Sequence, residues 1–148
     1  LIIHSSVSPN RANHTTNRGS GGVKSWSVYN TPMHKLVILV YSTRSPQFNG
    51  KWAEFLHAAE RIPGLRREAT SRLNRVLYGQ LRGELIHELY FDSYAELENG
   101  LNSPEGRQAG ELLQALTGGQ MVLLLAEHSE DDLENIRRFQ TPPGAEKA

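Results

Sequence analysis

Three side chains in the middle of the chain are suited to proton transfer, those of Glu88, Tyr90 and His57. Glu88 and Tyr90 lie two residues apart in the segment GELIHELYF, so an extended backbone places both on one face of a strand. A carboxyl group beside a phenol can exchange protons with a substrate, and burial would raise the pKa of the carboxyl group toward neutrality. The alternative is that Glu88 only forms structural hydrogen bonds, to Tyr90, to Tyr41 or to an arginine of a second chain. We name Glu88, Tyr90 and His57 as the candidate catalytic residues, with structural hydrogen bonding as the favoured interpretation of Glu88.

His57 lies in a segment with helical spacing that ends before Pro63 and Gly64. At about 100° per residue, the apolar side chains of this helix form one stripe, and His57 points nearly opposite to it, beside Glu54 and Arg61. The stripe consists of Phe48, Trp52, Phe55, Leu56, Ala59 and Ile62. A solvated helix histidine is therefore the alternative to a catalytic His57.

The strand that carries Glu88 has two faces of different composition. The more apolar face, which we expect to pack on helices, consists of Leu85, His87, Leu89 and Phe91. The other face, which we expect to meet a second copy of the chain, consists of Ile86, Glu88 and Tyr90. His87 is thus predicted to be a packed core histidine, or a pocket residue if the two faces are exchanged.

Composition excludes several classes of function. The 148 residues suit a single domain, and the 16 basic and 16 acidic side chains give no overall field that would favour nucleic acid or a membrane. Too few aromatic residues lie among the arginines to stack on bases, and no apolar run approaches the roughly 20 residues that cross a bilayer. There is no cysteine, which makes a soluble cytoplasmic protein the default expectation. Since no phosphate loop or metal-spaced cluster is present either, we expect no cofactor and no metal.

The chain divides into three parts. Residues 1–32 are rich in Ser, Asn, Thr and Gly and are predicted to be a disordered arm, with Met33 as a plausible native start. Residues 33–128 are predicted to form the domain, and residues 129–148 a short polar helix and tail. The elements expected within the domain are strands at 34–41, 65–73, 83–91 and 120–128, with helices at 46–62, after Ser93 and from Pro104. This β-α-β-β-α-β order predicts an α+β, ferredoxin-like fold with a four-stranded antiparallel sheet.

Both faces of the predicted sheet are apolar. The first strand alternates between Leu36, Ile38 and Val40 on one side and Val37, Leu39 and Tyr41 on the other. Because the helices cover only one face, a second copy of the sheet is the simplest cover for the other, which predicts a homodimer with a shared interior. The alternative is a C-terminal helix folded over the sheet. Pairing between the basic second-strand region and the acidic residues after 126 is expected within or across this dimer.

Four segments together resemble the EthD family of small dimeric α/β-barrel proteins: HELYFDS at 87–93, NSPEG at 102–106, TGGQMVLLLAE at 117–127 and IPGLRR at 62–67. The resemblance implies a dimer through the sheet, with a ligand pocket between sheet and helices or in the dimer lumen. It also implies reactions such as ether degradation or lactone isomerisation, without an obligatory metal or flavin. Phe48 and Trp52 match the start of the family's first-helix pattern, but its usual histidine positions fall on Phe55 and Leu56, just before His57.

We therefore expect a homodimer that binds a small apolar or aromatic molecule. Trp52, Tyr41, Ile86 and Leu39 are the predicted ligand-binding residues. The function stays open among a cofactor-independent proton-transfer enzyme, a family-type reductase or other oxidoreductase, and, as the alternative, a non-catalytic binder or dimeric assembly module. The missing family histidines favour the non-catalytic binder and the assembly module over the enzyme.

Overall fold

The computed structural model describes residues 32–133 of the chain, whose regular elements begin at Met33 and end at His128. The predicted disordered arm at residues 1–32 lies outside this range except for its last residue, and the predicted helix and tail at 129–148 lie outside it beyond Leu133. The elements, in chain order, are β1 Met33–Val40, α1 Phe48–Ala59, β2 Leu65–Arg72, β3 Leu85–Phe91, α2 Tyr94–Asn102, α3 Pro104–Thr117 and β4 Met121–His128. The strands form one antiparallel sheet in the order β2-β3-β1-β4. The predicted ferredoxin-like α+β topology is confirmed.

Local signals in the sequence fix the ends of the last two helices. Ser93 caps α2, because its hydroxyl oxygen accepts a hydrogen bond from the backbone N–H of Glu96 at 3.1 Å. Ser103 caps α3 in the same way, 3.0 Å from the N–H of Gly106, with Pro104 in the first turn. Helix α3 ends at Gly118, whose φ of 60° is a left-handed conformation that suits glycine.

The helices cover one face of the sheet, as predicted. That face and the helices share an apolar core whose sheet members are Leu36, Ile38, Val40, Leu85, Leu89 and Phe91. On the helix side, Phe48, Phe55 and Leu97 are almost completely buried against it. The predicted two faces of β3 are therefore correct, with the more apolar one toward the helices.

No helix packs on the other side of the sheet within residues 32–133, and we call this side the open face. Its apolar members include Val37, Ile86, Val122 and Leu124. Leu124 is 52% exposed. Leu39 also belongs to this face but is only 8% exposed. The backbone of Gly83 lies directly on the Leu39 side chain, so that a Cβ at Gly83 would overlap it. The segment 73–84 between β2 and β3, which we call the β2–β3 loop, thus covers one end of the open face.

Among the residues that the structure describes, no helix combines the length and apolar character needed to span a bilayer.

Candidate functional site

The open face carries a compact group of charged and aromatic side chains on its central strands. Lys35 of β1 donates a hydrogen bond from Nζ to Oε1 of Glu88 at 2.5 Å, and the Tyr90 hydroxyl donates to Oε2 of the same carboxylate at 3.1 Å. The side chains of Lys35 and Glu88 are only 16% and 20% exposed. The structure therefore brings the predicted pair Glu88 and Tyr90 together and adds Lys35 to it. We call these three residues the Lys35 triad.

The ring of Tyr90 is the centre of this arrangement. The Arg67 guanidinium lies 4.2 Å from the ring centroid and the Lys35 ammonium 5.2 Å from it, both in cation–π positions. His128 of β4 meets the ring edge-on, with 5.0 Å between ring centroids. Tyr90 is consequently only 4% exposed, although it lies on the face that no helix covers. Side chains of the same subunit thus surround Tyr90 and form a polar site on the open face.

A second ion pair closes one side of the site. Glu130 accepts from Arg67 at 3.3 Å and lies 2.8 Å from Nε2 of His128. These contacts with His128 and Arg67 hold the pKa of Glu130 below its usual range. The expected pairing between the basic second strand and the acidic C-terminal segment thus occurs here within one subunit.

The charge state of Glu88 differs from the expectation. Burial acts to raise the pKa of Glu88 and is the largest single influence, but the hydrogen bonds and charge of Lys35, with the Tyr90 hydroxyl, together outweigh it. The pKa of Glu88 is therefore lowered, and the predicted shift toward neutrality is wrong for this subunit. The hydrogen bond to Glu88 likewise raises the pKa of Lys35. At neutral pH the site holds an ammonium, a carboxylate and a phenol that donates to the carboxylate.

His87 lies on the opposite, helix-covered face and is fully buried. Its ring meets the edges of Trp52 and Phe55, and its Nδ1 lies 2.8 Å from the Thr70 hydroxyl. Burial lowers the pKa of His87 to about 4, against the opposing charge of Glu88. His87 is therefore a neutral core histidine, as predicted.

One polar contact of His87 is incomplete. Its Nε2 lies 3.4 Å from Oε2 of Glu68, and neither atom has a hydrogen-bond partner. Burial, and secondarily the charge of Glu60, raises the pKa of Glu68. Because His87 is neutral at physiological pH, this contact is not an ion pair there.

The other predicted site residues fall on both sides of the sheet. Ile86 and Leu39 are opposite each other in the β1–β3 register on the open face, and Tyr41 follows directly after β1. Trp52 is a buried residue of α1 on the side that faces the sheet, and its ring stacks on Phe48 with 5.7 Å between centroids. Within one subunit the sheet therefore separates Trp52 from the Lys35 triad.

His57 is far from this chemistry. It lies on the outer side of α1 with its side chain 82% exposed, and its nearest charged contact is Glu60 at 3.8 Å. This placement agrees with the alternative of a solvated helix histidine. Its predicted catalytic use stays a prediction.

A small apolar cavity of about 20 Å³ lies between the sheet and the helices, lined by residues such as Leu36, Phe55, Leu113 and Leu123. This volume suits about one water-sized probe, whereas small-molecule sites enclose roughly 300 to 1,000 Å³. Over residues 32–133, no group of three or more His, Asp or Glu side chains is arranged to hold a metal ion. The open face is therefore the better candidate for a binding site.

Comparison with known proteins identifies the fold. No protein-family model and no curated protein matches the sequence. An EthD family protein from Bacillus halodurans C-125 matches in structure with a TM-score of 0.58 and 23% identity, over 65% of this chain and 98% of that chain. A dimeric ferredoxin-like protein from Jannaschia sp. CCS1 matches with a TM-score of 0.53 and 16% identity, over 65% and 99%. A hydroxynitrile lyase from Passiflora edulis matches with a TM-score of 0.53 and 14% identity, over 68% and 96%. The chain thus has the ferredoxin-like α+β fold of an EthD family protein, as the resemblance of its motifs predicts.

Proposed function

We propose that the protein is a homodimer whose two open faces enclose a small apolar or aromatic molecule, with the Lys35 triad as the polar, proton-transferring part of the site. The observation that carries the proposal is the burial of a connected ammonium, carboxylate and phenol on a sheet face that also carries apolar side chains. Such convergent polar groups in an apolar wall are typical of ligand sites.

The dimer has two independent supports. Leu124 and its neighbours leave apolar area exposed on the open face, and a second copy would remove that area from water. The structurally similar Jannaschia protein is itself described as dimeric. A lumen between two sheets would also offer more room than the cavity of about 20 Å³ under the helices.

The triad suggests how a proton could move. The Tyr90 phenol donates to an ionised Glu88, so a substrate that accepts the phenol proton would leave a phenolate next to the ammonium of Lys35. Lys35 and Arg67 would stabilise that negative charge, since both lie against the ring. This chemistry needs no bound cofactor. A hydroxynitrile lyase from Passiflora edulis has the same fold, which shows that the fold accommodates reactions on small molecules in that protein.

A second candidate function is non-catalytic binding or assembly. It is favoured by the lowered pKa of Glu88, because a carboxylate held in an ion pair is a weak base and serves equally well as a structural link between β1 and β3. We also propose a cytoplasmic location, which cell fractionation can test. A family-type reductase activity is a further proposal, and it would require an electron donor.

The test is native mass spectrometry of the full chain purified from its own host, for the natural sequence and for Glu88→Gln and Tyr90→Phe. The proposal expects a dimer with a discrete bound small molecule, and loss of turnover of that molecule in both variants. Retained binding without turnover by the unaltered protein would favour the non-catalytic candidate. A monomer that binds no small molecule would contradict the proposal.

A further inference from the structure

A groove of about 590 Å³ lies at the end of the sheet, between the β2–β3 loop and the loop that follows β1. Its volume falls within the range of small-molecule sites, unlike the cavity beneath the helices. The groove is separate from the Lys35 triad, none of whose residues lines it.

One wall of the groove is apolar and faces water. Tyr78 is 98% exposed, and Val76 and Leu81 are 46% and 49% exposed. Three large apolar side chains grouped on one loop are unusual for a surface that meets only solvent. A ligand with a hydrophobic part would cover them.

Besides its apolar wall, the groove carries an excess of positive charge. Arg72 and Arg75 line it and are exposed, and neither forms an ion pair with any residue of the described range. The carboxylate that lines it, Glu84, is already engaged: it accepts from the Thr43 N–H at 2.8 Å, the Thr43 hydroxyl at 2.9 Å and the Arg44 Nε at 3.0 Å. These contacts, led by the Thr43 backbone N–H, hold the pKa of Glu84 below its ordinary value. Two guanidinium groups are thus left to receive an anion.

We propose that this groove binds an amphipathic organic anion, whose carboxylate is held by Arg72 and Arg75 while its hydrocarbon part lies on Val76, Tyr78 and Leu81. Guanidinium groups bind carboxylates through paired, charge-assisted hydrogen bonds, which suits two arginines that form no ion pair within residues 32–133. The site lies within one subunit and goes beyond the proposed function, so it stands or falls independently of the dimer.

Isothermal titration of the full chain with octanoate and with 1-octanol tests the proposal, because the two probes share a hydrocarbon part and differ in charge. Octanoate is expected to bind at least about tenfold more tightly than octanol, and more weakly as salt is raised. The variant Arg72→Gln with Arg75→Gln is expected to weaken octanoate binding by at least about tenfold and to leave octanol binding unchanged. Tyr78→Ser, at a side chain that is 98% exposed and so has little packing to lose, is expected to weaken both probes.

Arg107→Gln is the matched control, since Arg107 is an exposed arginine on α3 that does not line the groove. It is expected to bind both probes as the unaltered chain does. The proposal is overturned if octanoate does not bind, if octanol binds equally well, or if the double variant and Arg107→Gln give the same affinity.

Discussion

Lys35 and Glu88 form a largely buried ion pair across the two central strands of the sheet, with 2.5 Å between Nζ and Oε1. Lys35 is directly opposite Tyr90 in the β1–β3 register, so the lysine reaches diagonally to the carboxylate while its ammonium stays near the ring. Together with the Tyr90 hydroxyl, this contact lowers the pKa of Glu88 and keeps its carboxylate ionised on the open face.

Glu88→Gln should destabilise the fold more than an ordinary surface substitution. The change removes the charge partner of Lys35, whose side chain is only 16% exposed, and hydrogen bonds to charged groups contribute about 1.5 to 3 kcal/mol. Urea unfolding is expected to show a loss of about 1 to 3 kcal/mol. The double variant Lys35→Met with Glu88→Gln should recover part of that loss, because it leaves no unpaired charge. Equal stability of Glu88→Gln and the unaltered chain would show that the ion pair contributes nothing.

His87 should make stability fall in mild acid. The pKa of His87 is lowered from 6.5 to about 4 in the folded chain. Between these two pH values the unfolded state binds a proton at His87 and the folded state does not. Stability is therefore complete above pH 6.5 and declines between pH 6.5 and about 4, by up to roughly 3 kcal/mol.

Unfolding curves of His87→Phe across this range check the prediction. The variant should lose most of the slope between pH 6.5 and 4, whatever its stability at neutral pH. His57→Gln is the matched control, since that histidine is 82% exposed and should leave the slope unchanged. If His57→Gln flattens the slope and His87→Phe does not, the assignment of the buried histidine is wrong.

Two glycine substitutions should change stability in opposite directions. At Gly106 a Cβ would overlap the backbone of Gly100 and Leu101, where α3 begins against the end of α2. Gly106→Ala is therefore expected to cost about 1 to 3 kcal/mol. Gly50 lies in α1 with no atom within 4 Å of the added methyl group, so Gly50→Ala should stabilise by about 0.5 to 1 kcal/mol. Thermal unfolding of both variants decides the point, and a shift in the same direction for both would contradict it.

Leu124→Asp should convert the proposed dimer into a monomer. Leu124 is 52% exposed on the open face, and an aspartate there would be buried without a partner between two sheets. Light scattering after size exclusion is the measurement. Leu125→Asp is the matched control, because Leu125 has a similar exposure of 44% but lies on the side of the sheet that faces the helices. The same mass for both variants would argue against dimerisation through the open face.

The strands, the helices and the two faces of the sheet are predictable from this sequence because they depend on local patterns. Alternating residues assign Glu88 and Tyr90 to the open face and His87 to the core, and the serines at 93 and 103 mark the helix starts. The same alternation could have identified Lys35 as a charged residue on the open face of an otherwise apolar strand. The incorrect expectation for the pKa of Glu88 follows from overlooking that one residue.

Arg67 was not predictable in this way. The register shifts between Leu65 and Arg67, so that Leu65 is opposite Phe91 while Arg67 is opposite Tyr90. Simple alternation would place Arg67 on the same face as Leu65, toward the helices, whereas the irregularity turns it to the open face. Such a shift depends on the pairing of two strands that are distant in sequence, and no local pattern reveals it.

In the proposed dimer a second copy covers the open face, and the absence of cysteine from the chain allows a direct test of that cover. Single variants Leu124→Cys and Leu125→Cys place thiols at neighbouring positions on opposite faces of β4, with similar exposure in one subunit. The rates of their reaction with a maleimide should be compared in the native state and in urea. If the dimer forms, the thiol at 124 reacts at least about tenfold more slowly than the thiol at 125 in the native state, and at the same rate in urea. Equal native rates would mean that the open face is bare, and would contradict the dimer.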